Sequence, residues 1–190
     1  MKILGISGSG RKRSYNKALL DAVKDFLPEN VTLEIFDVSK FPLYNQDLET
    51  SMPLEVTEFK KKIRDSDAIL FASPEHNYSI TAVLKNAIEW GNRPSDDNSW
   101  DRKPAAIISA SSGLRGGARS QLHLRQIMVD LNMLPLAQPE LLVGRALEKF
   151  DADLHLRDEQ TRELLREVVT SLVDWTRRLH TSDGQVLENT

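Results

Sequence analysis

The chain of 190 residues contains no cysteine. That absence excludes disulfide bonds, thiol nucleophiles and thiolate metal ligands, so any redox chemistry must belong to a bound cofactor. No apolar run is long enough to span a bilayer, and no basic segment with an apolar run precedes the first predicted strand. We therefore expect no membrane partner and, by default, a cytoplasmic location.

The chain also lacks a strong excess of either charge. Its formal net charge is −3, which argues against a general affinity for nucleic acid. His123 and His180 have no partners at a spacing that would suit a metal ion, so we expect no metal site. The length fits a single domain over residues 1–190, with a polar and disordered stretch in roughly the last ten residues.

Strand-like and helical segments alternate along the chain. Residues 68–72 are apolar throughout, which is typical of a strand in a buried parallel sheet. The pattern predicts strands at 2–6, 31–37, 68–72 and 105–110, a last strand in pieces at 134–136 and 141–143, and helices at 14–26, 54–64, 82–90, 118–131 and 158–179. These units predict an α/β fold, a flavodoxin-like three-layer sandwich with a five-stranded parallel sheet of order 2-1-3-4-5 and helices on both faces.

The first loop, residues 8–16, joins the first predicted strand to the first predicted helix. It is rich in glycine and hydroxyl groups, and a helix N-terminus beside such a loop attracts phosphate. Ser9, Ser14 and Asn16 add polar side chains, and Arg11 adds a guanidinium. Arg13 replaces the third glycine of the dinucleotide fingerprint, and the spacing of a nucleotide-hydrolysing loop is absent, which leaves a monophosphate. A plain N-cap at Ser14 is the alternative, and it leaves Arg11 and Asn16 unexplained.

Two further loops follow the third and fourth predicted strands. The second loop, residues 73–79, is polar and aromatic, is stiffened by Pro74, and offers the side-chain amide of Asn77. The third loop, residues 111–119, is rich in glycine and serine, so its backbone amides can approach a planar ligand. The predicted topology brings all three loops to the carboxyl edge of the sheet, where ligands bind. The alternative is three unrelated surface loops, since polar residues gather in loops in any case.

Three segments resemble the NADPH-dependent FMN reductase family, and within it the bacterial quinone, chromate and azo-dye reductases. They are Gly-Ser-Gly-Arg-Lys-Arg-Ser-Tyr-Asn at 8–16, Pro-Glu-His-Asn-Tyr-Ser at 74–79 with Val-Leu-Lys-Asn-Ala-Ile-Glu-Trp at 83–90, and Ser-Gly-Leu-Arg-Gly-Gly-Ala-Arg at 112–119 with His-Leu-Arg-Gln-Ile at 123–127. The likeness covers residues 1–143. The first motif is specific because four polar positions coincide in one turn.

The resemblance implies a set of FMN-binding residues in each loop. Those of the first loop hold the phosphate: Ser9, Arg11, Ser14 and Asn16, with Tyr15 beside them. Those of the second loop border the isoalloxazine ring, largely through their backbone: Pro74, Glu75, His76, Asn77 and Tyr78. Those of the third loop complete the ring site near its pyrimidine end: Ser111, Ser112 and Gly113. The family often has tyrosine where this chain has His76, which changes the shape of the substrate pocket.

The resemblance also implies a reaction and an assembly. Hydride passes from NADPH or NADH to N5 of FMN, and a quinone or a related acceptor (azo dye, chromate or free flavin) is then reduced in a ping-pong cycle. Backbone N–H groups around Ser112 and Gly113 stabilise the negative charge on the flavin, and no side chain is required as a catalytic group. A homodimer, or a homotetramer, is expected, with the helices at 82–90 and 118–131 as interface candidates.

Alternatives remain open at this point. One is a flavodoxin-like electron carrier without its own NAD(P)H turnover, for which a net charge of −3 is mild. Another is a phosphate-ester or nucleotide-binding module without redox function.

Glu75 is interpreted as the partner of a nearby arginine in preference to a base. Arg119, with Arg115, is interpreted equally as a ligand of the NADPH 2′-phosphate or as a solvated or subunit-contact charge. Trp90 and Trp100 are predicted to line a pocket wall or a subunit interface.

Overall fold

The computed structural model describes residues 1–186, and the side chains of residues 1–181. Its strands are β1 Lys2–Ser7, β2 Thr32–Phe36, β3 Ala68–Ala72, β4 Pro104–Ala110, β5 Leu134–Pro135 and β6 Leu141–Val143. Its α-helices are α1 Tyr15–Val23, α2 Leu54–Asp65, α3 Ala82–Gly91, α4 Ala118–Asp130, α5 Ala146–Lys149 and α6 Glu159–Val186. Two short 3-10 helices are formed by Lys24–Phe26 and Gln46–Ser51.

The strands form one parallel sheet in the order β2-β1-β3-β4-β5. This order confirms the predicted flavodoxin-like fold class. The sixth strand is the difference from the five predicted, because β5 and β6 pair with the same edge of β4 at different heights. β5 pairs at Pro104 and Ala105, and β6 pairs from Ile108 to Ala110. The two predicted pieces of a last strand are thus two short strands that share one position in the sheet.

Alternation along the strands divides the core into two layers. Ala68, Leu70 and Ala72 of β3 face a cluster that includes the apolar faces of α1 and α6. Ile69 and Phe71 face the opposite cluster, which includes α2, α3 and α4. Because every residue of β3 is buried on one face or the other, its sequence is apolar throughout. The carboxyl edge between these layers is left to the loops.

The prediction that Trp90 and Trp100 line a pocket wall or a subunit interface is wrong. Trp90 and Trp100 are completely buried in the layer that contains α2, α3 and α4. The indole N–H of Trp90 donates to the carbonyl of Pro42 at 2.9 Å, and that of Trp100 donates to the carbonyl of Ile88 at 3.1 Å. Each ring therefore buries its apolar body and still satisfies its one polar group. The Asp- and Asn-rich loop between them made these residues look solvent-facing.

The structure differs from the predicted elements in four places. The first helix ends at Val23 and continues as a 3-10 turn, and the loop predicted at 41–53 contains a 3-10 helix. Residues 144–158, which had no predicted element, form α5 and a bridge between Phe150 and Leu156. α6 continues to Val186, and the rest of the predicted disordered stretch lies outside the described residues.

Over residues 1–186, no helix is long and apolar enough to cross a membrane.

Candidate functional site

The first, second and third loops meet at the carboxyl edge of three adjacent strands. β1, β3 and β4 are neighbours in the sheet and run parallel, so their following loops lie side by side. The Gly8 N–H donates to the carbonyl of Ala72 at 2.9 Å, which extends the pairing of β1 and β3 into the loops. Thr81 donates its hydroxyl to the Gly8 carbonyl at 2.6 Å. A Cβ added at Gly8 would lie 3.0 Å from Pro74 Cδ, so the close approach of the first two loops depends on glycine.

The first loop turns into α1 at Ser14, which is its N-cap and accepts from the Lys17 N–H at 3.4 Å. Ser9 is buried, and its hydroxyl accepts from the Arg11 N–H at 3.3 Å. The first turn of α1 carries no acidic residue, and the guanidinium-bearing Arg11 and Arg13 are exposed beside it. A helix N-terminus without a carboxylate and with cations nearby favours an anion.

Asn16 ties the first loop to the end of β4. Its side chain donates through Nδ2 to the Ala110 carbonyl at 2.9 Å and accepts at Oδ1 from the Ala110 N–H at 3.0 Å. Only 4% of the residue is exposed. The amide therefore satisfies two backbone groups at the point where the third loop begins. The predicted contact of Asn16 with phosphate stays a prediction, and the junction with β4 is a role that the sequence did not indicate.

The second loop contains a tight turn at residues 76–79. The His76 N–H donates to the Ser79 carbonyl, and the Ser79 N–H donates to the His76 carbonyl, both at 2.9 Å. Asn77 and Tyr78 have φ of 49° and 69°, so both lie in the left-handed region. Asparagine adopts this conformation readily, but tyrosine does so rarely. The three side chains at 76–78 are exposed at the carboxyl edge of the sheet.

Glu75 and Arg119 join the second loop to α4. The Glu75 carboxylate accepts from the Arg119 backbone N–H at 3.0 Å and from its Nη1 at 3.2 Å. The interpretation of Glu75 as the partner of an arginine is confirmed. The guanidinium carbon of Arg119 also lies 3.7 Å from the ring centroid of Tyr78. Arg119 is thus held by a carboxylate and an aromatic ring of the second loop, whereas Arg115 is exposed.

The third loop is shaped by two glycines. Gly116 and Gly117 have φ of 59° and 89°, and a Cβ at Gly117 would lie 2.8 Å from Ser109 Cβ. Ser109 donates its hydroxyl to the Gly116 carbonyl at 2.5 Å, and Gln121 donates to the Ser109 hydroxyl at 2.8 Å.

Before these glycines, the third loop exposes its backbone. The Ser111 hydroxyl accepts from the Gly113 N–H at 3.0 Å. Ser112 and Gly113 are exposed, so a ligand can reach the predicted pyrimidine end of the ring site.

Residues 144–158 had no predicted role, and the structure places part of them against the first loop. The rings of Tyr15 and Phe150 lie 5.1 Å apart between centroids, and the Arg13 guanidinium donates to the Ala152 carbonyl. These contacts hold the first loop against residues 150–152. The available signal was the spacing of apolar residues at 147, 150 and 154, which is short and easily taken for loop sequence.

The fold, with three ligand-competent loops at one edge, defines the class of flavodoxin-like flavoenzymes. A solved structure of similar shape is the NAD(P)H:(acceptor) oxidoreductase FerB from Paracoccus denitrificans, with a TM-score of 0.86 and 33% sequence identity over 93% of this chain and 97% of that one. An NAD(P)H-dependent FMN reductase of Pseudomonas aeruginosa is 46% identical over 180 residues, 94% of this chain and 97% of the relative. An NADPH:quinone oxidoreductase of Arabidopsis thaliana is 45% identical over 186 residues, 94% of this chain and 93% of the relative.

The profile of one family covers most of the chain. It is the NADPH-dependent FMN reductase family, and it matches residues 1–148. The chain belongs to this family and is an oxidoreductase with FMN as cofactor and NAD(P)H as co-substrate. The predicted family, enzyme class and cofactor are confirmed, and they disfavour both the carrier and the module without redox function.

Proposed function

We propose that this enzyme is an FMN-dependent NAD(P)H:quinone oxidoreductase with a ping-pong cycle. The observation that supports the proposal most is the junction of the three loops, because Gly8 and Asn16 bond the first loop to the ends of β3 and β4. Similarity to quinone oxidoreductases of Solanum tuberosum and Arabidopsis thaliana, both at 45% identity, supports quinones as the acceptor class. Azo dyes, chromate and free flavin are further acceptors within the proposal.

The FMN phosphate fits the first loop. The N-terminus of α1 lacks acidic residues, and Arg11 beside it supplies positive charge that a phosphate would neutralise. Ser9 and Ser14 offer hydroxyls within the same turn, and Tyr15 begins the helix. Asn16 contributes by fixing this turn on β4, because both polar groups of its side chain are bonded there.

We propose that the isoalloxazine ring binds between the second and third loops. We assign its border to the second-loop residues Pro74, Glu75, His76, Asn77 and Tyr78, and its pyrimidine end to Ser111, Ser112 and Gly113. When bound, FMN supplies the redox chemistry, accepting hydride from NAD(P)H and, once the oxidised nucleotide has left, reducing the acceptor. We assign to the backbone N–H groups around Ser112 and Gly113 the stabilisation of negative charge on the ring.

The side chains of this protein bind and orient the cofactor and the substrates, and none is assigned as an acid or a base. Glu75 is the one carboxylate of the second loop, and it accepts two hydrogen bonds from Arg119. These bonds fix the carboxylate against the start of α4, where it holds Arg119 in position. We therefore assign Glu75 the role of a positioning residue.

We further propose a homodimer, able to pair into a homotetramer, that uses α3 and α4. These two helices line a cleft of about 410 Å³. α4 also exposes two large apolar side chains, Leu122 at 62% and Val129 at 77%. Apolar surface of this kind favours association. Sedimentation at micromolar concentration should give at least twice the 21.5 kDa chain mass, and a monomer alone would contradict the proposal. The predicted cytoplasmic location stays a prediction.

The function is tested by the visible spectrum of the purified protein during one cycle. FMN is added, the free cofactor is removed, and NADPH or NADH is supplied without oxygen, followed by a quinone. We expect bound FMN, bleaching with the nucleotide and full recovery with the quinone, in two separable phases. Bound flavin that does not bleach with either nucleotide would contradict the proposed activity, and failure to retain FMN would contradict the assignment of the first loop.

A further inference from the structure

Tyr78 occupies a backbone position that suits glycine. It is the second of two consecutive left-handed residues in the turn at 76–79, and turns of this shape favour an asparagine followed by a glycine. The chain has the asparagine, Asn77, and then a bulky ring in place of the glycine. A tyrosine in the left-handed region is strained, and strain of this kind clusters at functional sites. The turn geometry alone would favour glycine at position 78, so the tyrosine side chain calls for another explanation.

The Tyr78 ring lies against the side chain of Arg119. The Arg119 guanidinium carbon lies 3.7 Å from the ring centroid, which is a close cation–π contact. Arg119 in turn donates two hydrogen bonds to Glu75, one from its backbone N–H and one from Nη1, and the Glu75 side chain is 14% exposed. The tyrosine itself remains 63% exposed. A largely buried carboxylate therefore fixes a guanidinium, and the guanidinium fixes an aromatic ring that is otherwise open to solvent.

A ring that served packing alone would be covered. Tyr44 shows the difference, since its ring meets the edge of Trp90 at 5.2 Å and its hydroxyl donates to Glu49 at 2.6 Å. Tyr78 is held without being covered, at the carboxyl end of β3 and against the first turn of α4. Immobilising a ring before a ligand arrives removes part of the entropy loss on binding. The exposed aromatic surface suits a flat and apolar ring.

We infer that Tyr78, backed by Arg119, is the surface on which the planar ring of a quinone stacks, and so a specificity-determining residue for planar acceptors. The inference rests on the proposed quinone reductase function, and it gives a role to one side chain of a loop that was assigned to the flavin largely through its backbone. Glu75 and Arg119 are positioning residues that act through the Tyr78 ring. Acceptors without a flat ring, such as chromate, gain nothing from this contact.

The test measures binding without turnover. FMN-loaded protein is titrated with tetramethyl-1,4-benzoquinone in the absence of NAD(P)H by calorimetry. Tyr78→Gly removes the ring and suits the left-handed backbone, so its fold should be at least as stable as the wild type. We expect its Kd for the quinone to rise about 2- to 12-fold, the range of one aromatic pair. Tyr78→Phe should bind the quinone as the wild type does. Leu54→Ala is the control, because Leu54 is 80% exposed and lies outside the three loops and outside α3 and α4.

The readouts separate this inference from the function on which it rests. If the wild type retains no FMN, the proposed function fails and the inference fails with it. If FMN binds equally to wild type and Tyr78→Gly while the quinone Kd is unchanged, the inference alone is overturned. The inference is also overturned if Tyr78→Gly slows the bleaching of FMN by NADH and leaves quinone binding unchanged, because that result would assign the Tyr78 ring to the nicotinamide. A lower sedimenting mass of Tyr78→Gly would assign the ring to a contact between copies and overturn it as well.

Discussion

Replacing Asn16 by alanine should lower the free energy of unfolding by about 2–4 kcal/mol, more than an ordinary polar substitution. The magnitude comes from the two groups that the change leaves behind. Both the N–H and the carbonyl of Ala110 are bonded to the Asn16 side chain, at 3.0 and 2.9 Å, and the residue is 4% exposed. An unpaired buried polar group costs about 1–3 kcal/mol, and a water that enters the gap would reduce the sum.

The assay is urea unfolding of the FMN-free protein, so that cofactor binding does not add to the apparent stability. In thermal unfolding the same loss corresponds to roughly 4–16 °C for a chain of this size. Asn86 offers a matched control. Its side chain also makes two backbone bonds, from Nδ2 to the Pro42 carbonyl at 2.9 Å and from the Tyr44 N–H at 2.8 Å, but it ties a different loop to α3.

The two asparagines should separate stability from binding. Asn86→Ala should lower stability, by less than Asn16→Ala because Asn86 is only partly buried, and should leave FMN affinity near the wild-type value. Asn16→Ala should lower both, since it releases the first loop from β4. An unchanged urea midpoint for Asn16→Ala would refute the energetic argument. A lowered midpoint with unchanged FMN affinity would refute the claim that this junction shapes the phosphate site.

Three further changes test other parts of the molecule. Arg11→Gln should raise the Kd for FMN roughly 10- to 150-fold and leave the Kd for riboflavin, which has no phosphate, nearly unchanged in fluorescence titrations. Gly117→Ala should destabilise the protein by about 1–3 kcal/mol in urea unfolding, because φ is 89° and the new Cβ would lie 2.8 Å from Ser109 Cβ. The His155 backbone N–H, followed by a neighbouring guanidinium, lowers the pKa of Asp151 from 3.8 to about 2. The stability that this carboxylate contributes is therefore present above pH 3.8 and lost as the pH falls through 2, and Asp151→Asn should flatten the stability profile in that window.

Local patterns predicted the elements of the sheet well. β3 is all apolar and was bounded correctly at both ends, and the helix after it was one residue short. Such segments carry their own signal, because burial on both faces or on one face of a helix repeats at a fixed spacing. The Gln46–Ser51 helix was missed because a polar 3-10 turn has no such repeat.

The candidate site was predictable in its loops but not in its junctions. Parallel topology alone brings the loops after β1, β3 and β4 together, so their neighbourhood follows from the order of elements. The hydrogen bonds that hold these loops together do not follow from the order of elements. Asn16 meets Ala110 across 94 positions of the chain, and Glu75 meets Arg119 across 44. Side-chain partners at such separations depend on the packed geometry and leave no periodic trace in the sequence.

The division of the last strand position into β5 and β6 has a consequence for how this sheet behaves in a crowded solution. An uninterrupted outer strand offers a row of free backbone groups on which a foreign strand can pair, and that is a common route to aggregation. Here the outer strand position beside β4 consists of β5, with two residues, and β6, with three residues, and residues 136–140 separate them. A foreign strand would find too few backbone groups in line to add itself to this side of the sheet.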